Sequence, residues 1–226
     1  MRQVLSSTPW VERTREFARA MRTSTRVDHG LLLVGTPEEE PWHLAAHLDD
    51  ETRFAGIPQL SPVLVRYRIP EGAPAHLSVG LERLERASRG ETVFIVAPGI
   101  APESLLERAH DARRNGTTIL SMNTGDSDLN SIAHESLIVP ARGLVIPDTS
   151  TESFITSLES AYATTTLAND VSTLGATFDV IEHLVSTAVG ESALTSPTHS
   201  STQRRGVRDR LGRLLDSISG PSIAHD

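Results

Sequence analysis

Short apolar runs alternating with amphipathic stretches constrain this chain more than any other feature. Gly30–Gly35 (GLLLVG) is an uninterrupted apolar run of strand length, as expected for a strand covered on both faces. Pro62–Tyr67 (PVLVRY), Thr92–Ala97 (TVFIVA), Thr118–Met122 and Ser136–Val139 repeat that signal. Between them lie helical patterns. Pro41–Phe54 is one. His76–Ser88 carries Leu77, Leu81 and Leu84 on one stripe and is ended by Gly90. Pro102–Asn115 opens on proline and is followed by Gly116, and a short helix is expected near Asp126–Ala133. Strands alternating with helices of this length require parallel pairing through crossovers. The expected fold is α/β: a three-layer, doubly wound, mainly parallel sheet of about five strands.

Helical extensions flank this core. Over Thr8–Thr23, Thr8 can cap, Pro9 suits the first helical position, and Trp10, Phe17 and Met21 share a face. From Thr151 to Val189 apolar residues recur at helical spacing, with Gly175 expected to divide two helices. Gly190–Gln203 is a polar linker rich in Ser and Thr, and Arg204–Ser219 is an arginine-rich amphipathic tail. The organisation read from this is an N-terminal helix over 1–29, an α/β core over 30–150, C-terminal helices completing the domain over 151–189, and linker plus tail over 190–226.

Two absences exclude chemistries. Without cysteine there is no disulfide, thiolate metal site or cysteine nucleophile. Without lysine there is no Schiff base, lysine general base or P-loop. All 21 basic residues are arginine, the signature of GC-rich coding, and a GC-rich bacterium is the expected source. The net charge of −8 argues against nucleic-acid binding by the body, leaving only the tail for it. No apolar run is long enough to span a bilayer, so no membrane insertion is expected. The first residues lack the apolar core of a signal peptide, and the expected location is the cytoplasm.

Residues 30 to 140 resemble the sugar isomerase (SIS) domain family in the order and spacing of elements. The family's first strand runs into a Gly-Thr-Ser or Gly-x-Gly-x-Ser turn and a helix, matched here by Leu33-Val34-Gly35-Thr36-Pro37. Its third strand ends in Ser-x-Ser-Gly-x-Thr, matched by Val96-Ala97-Pro98-Gly99-Ile100-Ala101-Pro102-Glu103-Ser104. Its closing strand and polar turn resemble Ile119-Leu120-Ser121-Met122-Asn123-Thr124. The resemblance implies a ligand-binding set of Gly35, Thr36, Gly99, Glu103, Ser104, Asn123 and Thr124. It also implies a carbohydrate derivative as ligand and a homo-oligomer formed through the C-terminal helices.

The departures bear on function. In the family, serine hydroxyls and loop amides hold a sugar phosphate at a helix N-terminus, where orphan N–H groups and the helix dipole favour an anion. Here the hydroxyl positions hold Ala97, Pro98 or Gly99, and Ala101. The serine after the first strand is Pro37, which has no N–H to donate, and Glu38, Glu39 and Glu40 follow. Each lost charge-assisted hydrogen bond costs about 1.5–3 kcal/mol of binding. The expectation is a degenerate, non-catalytic module with no catalytic residue, cofactor or metal. The alternatives are an active phosphosugar isomerase or binding protein with an unusual pocket around Gly35, Gly99, Glu103 and Thr124, or a partner that recruits another macromolecule through the tail.

Three further features carry less. His43 and His47 sit four apart on a helix, but Leu44 stands where the zinc-protease pattern needs Glu, and two surface histidines are the ordinary outcome. His183 beside Glu182 resembles isomerase groups from that region, without a motif to fix it. Asp126 and Asp128 suit a polar turn and helix cap.

Overall fold

The computed structural model describes residues 9–74, 77–140 and 170–194, with side chains of the last helix from Phe178 to Glu191. The Thr8 cap, the helical pattern over 151–169, most of the linker and the arginine tail lie outside the described residues.

Five parallel strands form one sheet in the order β2-β1-β3-β4-β5. They are β1 (Leu31–Val34), β2 (Pro62–Val65), β3 (Thr92–Ala97), β4 (Thr118–Asn123) and β5 (Glu135–Ile138). Every residue of β1 and β3 is buried, as two-sided cover requires. Alternation sends Leu31, Leu33, Phe94 and Val96 to one face and Leu32, Val34, Val93 and Ile95 to the other.

The first face packs against α1 (Pro9–Ser24), α2 (Trp42–Ala55) and α6 (Asp170–Leu194). Phe17 of α1 meets Phe94 of β3 with ring centroids 5.2 Å apart. The second face packs against α3 (Glu82–Glu85), α4 (Glu103–Arg114) and α5 (Ser127–Ile132). Helices therefore lie on both sides of the sheet, and the three-layer α/β fold read from the alternation is the one observed.

Two expected elements differ. Over His76–Ser88 the chain makes only the single turn α3; residues 75 and 76 are not described. The Arg66 amide donates to the Val79 carbonyl at 2.8 Å and Gly80 bridges Arg66, so 79–80 extend alongside β2 instead of coiling. Glycine within that stretch lowers the helix's own stability by about 1 kcal/mol, enough for the competing pairing to win. Conversely, α6 runs through Gly175 without a break and past Gly190 to Leu194.

Phe178, Ile181, Val185 and Val189 of α6 are each at most 1% exposed within the chain's own core. The described part of the apolar stripe expected to join subunits thus packs against α1 and α2. Among the described residues no helix is long and apolar enough to cross a membrane. If α6 is integral to the core, Phe178→Ala lowers stability by about 3–5 kcal/mol, read from the urea midpoint. A loss below about 1 kcal/mol would show that α6 is peripheral.

Candidate functional site

In a sheet ordered 2-1-3-4-5 the direction of winding reverses between β1 and β3, and the carboxyl ends of these strands are where such sheets place a ligand crevice. The loop after β1 closes on itself there. The Thr36 amide donates to the Glu39 carbonyl at 2.9 Å, and the Glu39 amide donates to the Thr36 carbonyl and Oγ1, both at 3.3 Å. Gly35 makes this approach sterically feasible: a Cβ there would stand 2.1 Å from the Glu39 oxygen and 2.7 Å from Pro41 Cδ. Glycine is therefore required by the loop's own backbone, with no ligand involved.

The loop after β3 is tied to the loop after β4. The Ala101 amide donates to Asp126 Oδ2 at 2.8 Å. Asp126 Oδ1 accepts from the amides of Asp128 and Leu129, each at 3.0 Å, and so caps α5. One carboxylate thereby occupies three backbone donors. Asn123, fully buried, donates from Nδ2 to Ser121 Oγ and to Asn130 Oδ1, while its Oδ1 accepts from the amides of Gly125 and Asp126. Both its amide protons are thus engaged inside the protein. Thr124 Oγ1 donates to the Pro98 carbonyl at 3.2 Å.

The seven residues singled out in the sequence all come to this rim, in differing states. Gly35 and Thr36 are buried, and Asn123 and Thr124 brace the loops. Gly99 is exposed, with open space where a Cβ would be. Glu103 and Ser104 are exposed in the first turn of α4, whose N-cap position is Pro102 without a side-chain cap. Of the three glutamates after Pro37, Glu40 is neutralised. Arg66 binds it through Nε at 3.0 Å and through its terminal nitrogen at 3.0 Å, while stacking over Trp42 at 4.6 Å. Trp42 Nε1 donates to the same carboxylate at 2.9 Å.

Glu39 instead faces α6. Burial and the neighbouring Asp179 hold its carboxyl above the usual range. Glu182, 7% exposed, is pushed up to about 8 by burial first, then by Asp179 and Glu39. His47 is not a surface histidine: its ring meets that of His183 edge-on, centroids 4.1 Å apart. Both imidazoles are held below the usual histidine value, chiefly by burial. Among the described residues no group of three or more acidic or histidine side chains could hold a metal ion. Sequence reasoning had Glu182 and His183 in view but no periodicity or motif to bring them against α2. Only the packing of α6 does so.

No family model and no curated protein matches the chain. Solved structures do. A Salmonella typhimurium LT2 protein provisionally assigned to sugar binding matches at TM-score 0.52 and 18% identity over 94% of this chain; this chain spans about half of it, 51%. The sugar isomerase domain of the RpiR transcription factor from Sphaerobacter thermophilus matches at TM-score 0.44 and 17% identity, covering 94% of this chain and 91% of that one. The Vibrio vulnificus NanR protein, complexed with ManNAc-6P, matches at TM-score 0.46 and 12% identity, covering 90% and 60%. The chain has the three-layer α/β architecture of this group, and at these identities the likeness is one of fold.

A carboxyl raised from 4.5 to about 8 on folding weakens the fold as pH rises. Below pH 4.5 both states are protonated and nothing is lost; the loss grows between 4.5 and 8 and is complete above 8. Glu182→Gln should therefore match the parent's stability near pH 4 and exceed it by about 1–4 kcal/mol at pH 9, measured by urea denaturation. A pH-independent difference would place Glu182 in contact with solvent.

Proposed function

We propose that this chain is a non-catalytic binding or regulatory module of sugar isomerase-like architecture whose phosphate site is closed from within. The observation that carries this is the Asp126 carboxylate on the Ala101 amide, an internal anion where the family places a ligand's. A phosphate taking that place must displace Asp126 and uncap α5, at about 1–2 kcal/mol for the cap alone. It would also meet Glu39 and Asp179, like charges at the mouth. The Thr36 amide is closed off as well, by the Glu39 carbonyl. Open space at Gly99 and the uncapped first turn of α4 fit an uncharged carbohydrate derivative, whose hydroxyls accept from amides without adding charge.

A second reading rests on Glu182. A buried carboxyl that titrates near 8, beside His183, has the properties of an acid–base group. On that reading the pocket is an active phosphosugar site of unusual form.

Thermal-shift measurements with hexose 6-phosphates separate the two. A ligand at one hundred times its dissociation constant stabilises by about 2.7 kcal/mol. The closed-site reading predicts no shift with millimolar glucose 6-phosphate or fructose 6-phosphate. A saturable shift would favour the second reading and remove the first.

A further inference from the structure

The carboxyl-end rim of the sheet exposes large apolar side chains amid acidic ones. Ile100, in the loop after β3, is 86% exposed; Ile69, after β2, is 42% exposed; and Trp42, after β1, is 39% exposed. Glu38, Glu39, Glu103, Asp128 and Asp179 are exposed on the same rim, opposed by Arg68. The opposite end of the sheet is predominantly basic, with Arg26, Arg86, Arg89 and Arg114 exposed where the chain enters the strands, against Asp28 and Glu135.

Arg204–Ser219 is the complement of that rim. Arg204, Arg205, Arg208, Arg210 and Arg213 flank a stripe of Val207, Leu211, Leu214, Leu215 and Ile218 at helical spacing. Reach permits the contact. Arg22 donates to the carbonyls of Ala188 and Val189, and this puts the last turns of α6 level with the end of α1, beside the strands' entry points. The six residues of β3 rise about 20 Å, at ~3.3 Å each. The linker 195–203 reaches about 30 Å when extended. The tail can therefore climb from the basic end to the acidic rim within one chain.

We infer that the arginine-rich tail docks on its own chain's carboxyl-end rim, laying its apolar stripe on Ile100, Ile69 and Trp42 with its arginines against the exposed carboxylates. Charge sets the choice of end: the same segment is repelled from the entry side of the sheet. The inference is independent of what the crevice beneath binds.

The chain has no cysteine, so nitroxides on Ser127→Cys and Ser217→Cys label it uniquely. Pulsed electron resonance should return one narrow distance distribution, unchanged when labelled chains are diluted with unlabelled ones. Ile100→Asp, or Arg208→Glu with Arg210→Glu, should broaden it severalfold, whereas Val27→Asp, at the entry end and also exposed, should not. Circular dichroism confirms that each variant folds. A broad distribution in the parent overturns the inference, as does a narrow one indifferent to Ile100→Asp. A coupling lost on dilution assigns the contact to a second copy and overturns it equally.

Discussion

The carboxylate of Asp126 organises the carboxyl end of this sheet. It takes the Ala101 amide in one direction and the first amides of α5 in the other, joining the loops that follow β3 and β4. Asn123 holds Asp126 in place by accepting its amide, and Thr124 ties the same turn to Pro98. The anion that these backbone donors hold is part of the chain itself. Charge-assisted bonds of this kind are about twice as strong as neutral ones, and a tethered carboxylate meets no cost of association.

The loop after β1 likewise satisfies its own backbone donors. It turns its amides on its own carbonyl and hydroxyl oxygens, so Gly35 and Thr36 serve the loop itself. Glu39 and Glu182 lie beyond it, and burial first, then the neighbouring Asp179, holds both carboxyls above the usual range.

Much of the framework was legible because buried parallel strands write their periodicity without interruption. LLLV and TVFIVA, flanked by helical stretches, read as strands of a parallel sheet, and both are buried throughout. What failed was local competition. Leu77, Leu81 and Leu84 trace a helical stripe, yet backbone pairing between Arg66 and Gly80 claims the segment. Gly175 suggested a break, but about 1 kcal/mol of propensity does not interrupt a helix held by packing. At the site, Ala97, Pro98, Gly99 and Ala101 could be read from the sequence as offering no hydroxyl. That Asp126 accepts from the Ala101 amide is a long-range fact, twenty-five residues away, which cap chemistry alone showed only for α5. The pairing of His47 with His183 is likewise a product of α6 packing on α2, invisible to spacing within either helix.

The most direct measurement is of the amides themselves. In a nitrogen-15 correlation spectrum titrated with glucose 6-phosphate, the Thr36 and Ala101 signals should stay in place, and their protons should exchange slowly with solvent. Saturable movement of both signals, together with those of Asp128 and Leu129 as α5 loses its cap, would show that a phosphate displaces Asp126 and would contradict a site closed from within.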